Sequence, residues 1–237
     1  MAARSFLSAY VLVGVLNVVS ELLGNVDGIL LTKPLLMPLL VGWLIATAGR
    51  SGSRPMLFLG VGLVFAWAGD LLLLGEGDAL FALGLGAFLV MQVLYIAAFV
   101  SVKGPSFVRA WPVVLVPYVA AWAALLALTW SGAGALLVPV VVYGTVLVAM
   151  GVLSLDVVLR LKRPASWRIA AGGALFIVSD GLIALTAFGP LEASDPLSAL
   201  VMATYIAAQG LIVVGLTRGV LANSAESTPR GDKQPGL

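Results

Sequence analysis

The sequence predicts an all-α polytopic membrane protein with eight transmembrane helices, on three observations. Apolar residues make up 61% of the 237 residues and charged residues only 10%, well below the roughly 25% charge of a soluble domain. The apolar residues come in blocks of about 20, the length at which a helix rising ~1.5 Å per residue crosses a hydrocarbon core of ~30 Å. Charge, Gly and Pro gather between the blocks, as connections between spans require. The period-2 alternation of a barrel strand is absent, so helices are the remaining way to satisfy the backbone in lipid.

Taken in order, the spans fall at about 5–23, 33–49, 55–75, 79–101, 111–130, 134–159, 168–188 and 197–217. The first block lacks a small-x-small cleavage site behind a short apolar core, so it reads as a span and not a removed signal peptide. Residues 1–221 form a single eight-helix transmembrane domain. The polar stretch 222–237 reads as a disordered cytoplasmic tail. The count of eight rests on charge placement. Arg4, Arg50, Arg54, Lys103, Arg109, Arg160, Lys162, Arg163, Arg168, Arg218, Arg230 and Lys233 all fall on one side, while Glu21, Asp27, Glu76, Asp78, Glu192 and Asp195 fall on the other. Only Lys33 breaks the separation, and seven or nine spans would scramble it. The positive-inside rule then puts both termini in the cytoplasm; a bacterial cytoplasmic membrane is the expected location.

The net charge of +2 is no nucleic-acid signal, because the basic residues are orientation residues in loops. No Cys and no His occur, which excludes disulfides, thiol chemistry, imidazole acid–base work and the usual zinc sites. No cofactor or metal is expected. Trp43, Trp67, Trp111, Trp122, Trp130 and Trp167 read mostly as interface anchors. Gly60, Gly62, Gly84, Gly86, Gly172 and Gly173 read as points of close helix approach.

A weak internal repeat joins the halves. GDLLLL (69–74) answers SDGLIAL (179–185), and LYIAAF (94–99) answers TYIAAQ (204–209). Asp70 to Tyr95 and Asp180 to Tyr205 are both 25 residues apart, at an offset of 110 residues, or four spans. An even number of spans makes the copies parallel.

A charge inside a span costs a few kcal/mol, about 2.5–3.5 on insertion scales, so it has a partner or a task. Asp70 and Asp180 lie at matched places in the third and seventh spans, at similar depth, placed to face each other across a cavity. The bland alternative is that each bonds a neighbouring helix or pairs with Lys33. Lys33 opens the second span beside Pro34, which suits a first helical turn, and Pro38, which bends one. It either meets an anion or snorkels to the interface. Asn17 with Glu21, Gln92 with Tyr95, and Tyr205 with Gln209 each share a helix face, and Tyr143 sits in the outer half of its span. As a group they suggest one polar cavity open outward. Singly, helix–helix hydrogen bonding is the plainer reading. Asp156, four before Arg160, reads as a structural ion pair.

The stretches TKPLLMPLL (32–40), FAWAGDLLLL (65–74), GLGAFLVMQVLYIAAF (84–99), GALFIVSDGLIAL (173–185) and ATYIAAQGLIVVGL (203–216) resemble the YhhN family, the eight-span membrane proteins that include the lysoplasmalogenases. The resemblance implies hydrolysis of the vinyl ether bond of a lysoplasmalogen to a fatty aldehyde and a glycerophospho-base. Its polar positions fall on Lys33, Asp70, Tyr95, Asp180, Tyr205 and Gln209. Family members often carry His where this chain has Gln92, so either a His-dependent step is lost or that position only donates a hydrogen bond.

Vinyl ether hydrolysis needs one acid and one anionic group, and with His and Cys absent, Asp70 and Asp180 are the candidates, in the logic of paired glycosidase carboxylates. Lys33 would bind the substrate phosphate; Asn17, Glu21, Gln92, Tyr95, Tyr143, Tyr205 and Gln209 complete the expected binding set. The expected partners are a lysophospholipid and the bilayer; oligomeric state is not encoded. A transporter or lipid-binding protein with no chemistry is the alternative, suited by a parallel repeat and a proline-broken span. A purely structural membrane protein is the third reading.

Overall fold

The computed structural model describes residues 2–49, 53–161 and 164–227. Among these, every regular element is a helix, and eight helices are long and apolar enough to span a membrane. They are α1 (Ala2–Leu22), α2 (Val26–Ala48), α3 (Arg54–Leu72), α4 (Asp78–Ser101), α5 (Pro112–Thr129), α6 (Gly134–Leu159) and α7 (Ala165–Ala187), followed by α8 (Asp195–Ser227). A one-turn helix, Phe107–Ala110, lies between α4 and α5. The chain is an integral multi-pass membrane protein of all-α class.

Two helix ends differ from the sequence reading. α2 starts at Val26, not at 33, because Asn25 caps it: the Asn25 side chain accepts from the Gly28 N–H at 3.1 Å, and Asp27 stands in the first turn where a helix N-terminus favours an anion. A stretch read as a loop break is a capping signal. Lys33 therefore lies seven residues inside the helix, roughly 10 Å along its axis at ~1.5 Å per residue. Pro34 is likewise interior, not first-turn. At the other end α8 runs on to Ser227, so the first residues of the expected disordered tail are helical. The Asn223 side chain there donates to the Arg160 carbonyl at 2.9 Å. Residues 228–237, with Arg230 and Lys233, lie outside the described residues, as do Arg50, Lys162 and Arg163.

Pro38 has no N–H to give the carbonyl of Pro34, four residues back, so that carbonyl is left free inside the helix. The Trp67 indole N–H of α3 donates to it at 2.9 Å. Trp67 thus serves as a backbone partner. Trp43 departs from the expected anchor role: it is buried, with the Arg218 guanidinium 6.0 Å from its ring centre. Trp111, Trp130 and Trp167 are exposed near span ends, as expected of anchors.

Short connections pair α1 with α2 and α3 with α4 as antiparallel hairpins. α8 is the most buried span and packs on α7, α1, α2 and α3. Tyr10 ties α1 to it by donating to the Ile206 carbonyl at 2.6 Å. α7 fits tightly against α8 because Gly172 leaves no Cβ where one would stand 2.9 Å from the Ala208 carbonyl oxygen. α5 is the least buried span and touches α6 and α7 from outside. Four contacts recur between the halves, α1–α2, α2–α3, α3–α4 and α2–α8 being answered by α5–α6, α6–α7, α7–α8 and α6–α4, whereas the α1–α8 contact has no counterpart of like extent between α5 and α4 among the described residues.

The end of the bundle holding the α4–α5 and α6–α7 connections is basic, and the opposite end acidic. At the basic end Asp156 does more than the simple ion pair expected of it. It pairs with Arg160 and also accepts from the Val108 N–H at 2.9 Å and the Ser106 hydroxyl. Arg160 in turn donates to the Pro105 carbonyl at 3.2 Å and the Val102 carbonyl at 3.3 Å.

Candidate active site

In the acidic half of the bundle a cavity of about 450 Å³ lies among α3–α8, with Lys33 of α2 also on its wall. That volume falls in the ~300–1,000 Å³ range of small-molecule sites. Most of the wall is Ala, Leu, Val, Ile, Met and Phe; its charged and hydroxyl-bearing members are Lys33, Asp70, Tyr143, Ser179, Asp180 and Tyr205. Edge-to-face contact between Phe81 and Phe188, centroids 6.3 Å apart, lies on its acidic-end side.

Each carboxylate is held by a tyrosine from another helix. Asp70, near the C-terminal end of α3, accepts from the Tyr205 hydroxyl of α8 at 3.0 Å. Asp180 of α7 accepts on one oxygen from the Tyr143 hydroxyl of α6 at 2.6 Å and from the Gln92 amide of α4 at 3.1 Å. Both aspartates are buried, at 1% and 8% exposure, so these bonds replace water that a carboxylate would otherwise require. The Tyr205 ring is fixed by edge contacts with Phe88 at 5.8 Å and Phe176 at 5.7 Å. Lys33 is half-buried, and among the described residues it has no carboxylate within ion-pair distance. The pairing of Lys33 with an aspartate, weighed from sequence, does not form.

The expected site therefore divides. Lys33, Asp70, Tyr143, Asp180 and Tyr205 meet on one wall. Gln92, where the family often has His, stands behind Asp180 as a hydrogen-bond donor to its carboxylate. Tyr95 and Gln209 are a layer deeper, both fully buried, with the Tyr95 hydroxyl donating to the Gln209 side-chain carbonyl at 2.6 Å; they do not line the cavity. Asn17 and Glu21 are not part of it. Asn17 is buried and donates to the Thr32 hydroxyl of α2 at 2.9 Å, a helix–helix bond, and Glu21 is half-buried on α1. Asn17 meets α2 and not the cavity, which spacing on one helix cannot reveal.

Sequence reasoning missed Thr32 and Ser179, whose hydroxyl donates to the Val201 carbonyl at 3.1 Å; a lone hydroxyl in an apolar span gives no signal. It also misplaced Gly86. That glycine packs against nothing: a Cβ there would meet open space, and the residue lines the cavity.

A mostly apolar cavity whose wall carries two carboxylates, one amine and three hydroxyls can hold a hydrocarbon chain beside groups able to exchange protons and to meet an anion. No curated protein and no solved structure matches the chain. The YhhN family model matches residues 28–216, a stretch that contains every charged and hydroxyl-bearing residue of the cavity wall, and the chain belongs to that family.

Proposed function

We propose that the protein is a membrane-embedded hydrolase that cleaves the vinyl ether bond of lysoplasmalogens, the lysoplasmenyl-ethanolamines and -cholines. The observation that carries this reading is the pair Asp70 and Asp180, each oriented by a tyrosine hydroxyl from another helix, on the wall of one apolar cavity.

The chemistry balances with these groups alone. One carboxyl gives its proton to the outer carbon of the vinyl ether, leaving an oxocarbenium ion at the carbon bonded to oxygen. The other carboxylate lies ready to stabilise that cation and to take a proton from the water that adds to it. The hemiacetal then collapses: its hydroxyl proton leaves, the carbon–oxygen bond to glycerol breaks, and the glycerol oxygen is protonated. The products are a fatty aldehyde and a glycerophospho-base. Two carboxyl groups dividing the acid and anionic roles is the logic of glycoside hydrolysis. Lys33 offers a point charge to the substrate phosphate.

Aldehyde release from a lysoplasmalogen by purified protein in detergent tests this. Asp70→Asn and Asp180→Asn should each lower turnover at least ~100-fold, the scale of a lost acid–base group, in protein that still purifies folded. Near-normal turnover in both variants would sink the mechanism. The repeated packing of the halves favours a second reading, a lipid transporter; flux into sealed vesicles without aldehyde would select it.

A further inference from the structure

We infer that the cavity opens sideways into the membrane through a wedge between α4 and α6, and that this wedge admits the chain of a single-chain lipid, with Gly86 as its threshold. The inference deepens the reading of the cavity as a lipid site by naming the route to the carboxylates.

The wedge follows from where the two helices are covered. α6 buries nothing ahead of Gly144, then buries Gly144, Leu147, Met150, Gly151 and Ser154. α4 and α6 are in contact, and the burial pattern places that contact in the basic half. In the acidic half they part. Val138 and Val142 of α6 are 71% and 47% exposed and yet line the cavity. Across from them, Ala82 and Gly86 of α4, one turn apart, are also exposed and also line it. Residues that are exposed on the apolar flank of a membrane bundle and form a cavity wall at the same time mark that cavity's mouth. Small residues at this depth ordinarily draw helices together; here Gly86 has no neighbour within reach of a Cβ, so its missing side chain leaves a gap.

The occupant is set by what lies behind the gap. Tyr143, on the α6 side, carries the hydroxyl that bonds Asp180, so a chain lying between Gly86 and Val142 passes directly to the carboxylate. The space is about 450 Å³ and apolar, room for one hydrocarbon chain and not the two of a bilayer phospholipid. A water-soluble substrate has no use for a mouth that faces hydrocarbon.

The test uses a saturated 1-alkyl lysophospholipid with a diazirine on its chain, which has no vinyl ether and reports binding without turnover. Ultraviolet labelling of the full-length protein in lipid nanodiscs, read by peptide mass spectrometry, should place adducts on α4 near Ala82–Gly86 and on α6 near Val138–Tyr143. Gly86→Trp should cut that labelling at least fivefold, and Ala82→Phe, a second plug on the same rim, should do likewise. Leu12→Trp, on the exposed face of α1, should not. A side chain at Gly86 meets no packed neighbour and Ala82 is exposed, so loss of fold is not the expected cause. Labelling unchanged by both plugs, or adducts only outside α4 and α6, overturns the doorway. If labelling obeys the plugs while the wild type releases no aldehyde from a lysoplasmalogen, the doorway stands and the hydrolysis reading falls.

Discussion

Tyr143 and Gln92 converge on a single oxygen of Asp180, while Asp70 receives one donor, Tyr205. Removing a donor from a buried carboxylate costs about 1–3 kcal/mol, and a loss of ~1.4 kcal/mol in the transition state is tenfold in rate. Tyr143→Phe keeps the ring on the cavity wall and deletes only the donor, so kcat should fall roughly 5- to 100-fold with KM little changed. A fall in KM-related binding alone would show that the ring, not the hydroxyl, is what counts. Lys33 gives the complementary split. Lys33→Met should raise KM about tenfold for a lysoplasmalogen and leave an uncharged 1-alkenylglycerol within about twofold, because the charge has no phosphate to meet. An equal rise for both substrates would remove the phosphate from its role. At this scale the sequence exposed the charged residues and, as one polar group, the Tyr143, Gln92 and Tyr205 that hold them, but not which of these bonds which aspartate. Asp70, Asp180 and Lys33 were legible because ionisable groups in spans are rare and costly. The absence of Asn17 and Glu21 from the cavity was not, because helical spacing tells which residues share a face and nothing of which neighbour that face meets.

Helices, by contrast, were legible almost to their ends, since a hydrocarbon slab imposes length and apolarity on every span. The exceptions came from local chemistry: the Asn25 cap that starts α2 early, and the run of α8 to Ser227. The interior of α2 carries the most specific expectation at this scale. Trp67 takes up the Pro34 carbonyl that Pro38 releases. If that is why Trp67 stands there, Trp67→Phe should destabilise the protein by about 0.5–1.5 kcal/mol, the range of hydrogen bonds between membrane helices. In a Pro38→Ala background the effect should largely vanish, because the new Ala N–H can take the same carbonyl. Pro38 is exposed, so its replacement opens no hole in the core. Steric-trap or denaturant unfolding of the four proteins closes this double-mutant cycle, and an additive result would deny the coupling.

Across the whole molecule, the cavity and an ion-pair clamp lie at opposite ends. The cavity occupies the acidic half, while the basic end carries a clamp in which Asp156 and Arg160, with side chains 7% and 12% exposed, gather Ser106, Val108, Pro105 and the Asn223 side chain of α8. On the positive-inside rule the basic end is expected in the cytoplasm; a reporter that works only in the cytoplasm should be active when fused after residue 226 and inactive in the 73–77 connection, and the reverse would invert the orientation. The clamp joins the link between the two halves of the repeat to the ends of α6 and α8, so its loss should loosen the assembly of the halves without touching the carboxylates. Breaking a buried, hydrogen-bonded ion pair costs about 3–5 kcal/mol, against about 0–1 for an exposed one. Asp156→Ala leaves Arg160, the Ser106 hydroxyl and the Val108 N–H without their acceptor, so unfolding free energy should fall by about 3 kcal/mol. The kcat of the folded fraction should stay within about twofold of wild type, since no atom near the reacting bond has moved. A stability loss below about 1 kcal/mol would reduce the clamp to an ordinary surface pair. A large drop in kcat with stability intact would mean that the two ends of the bundle are coupled, and that the arrangement of the halves sets the geometry at Asp70 and Asp180.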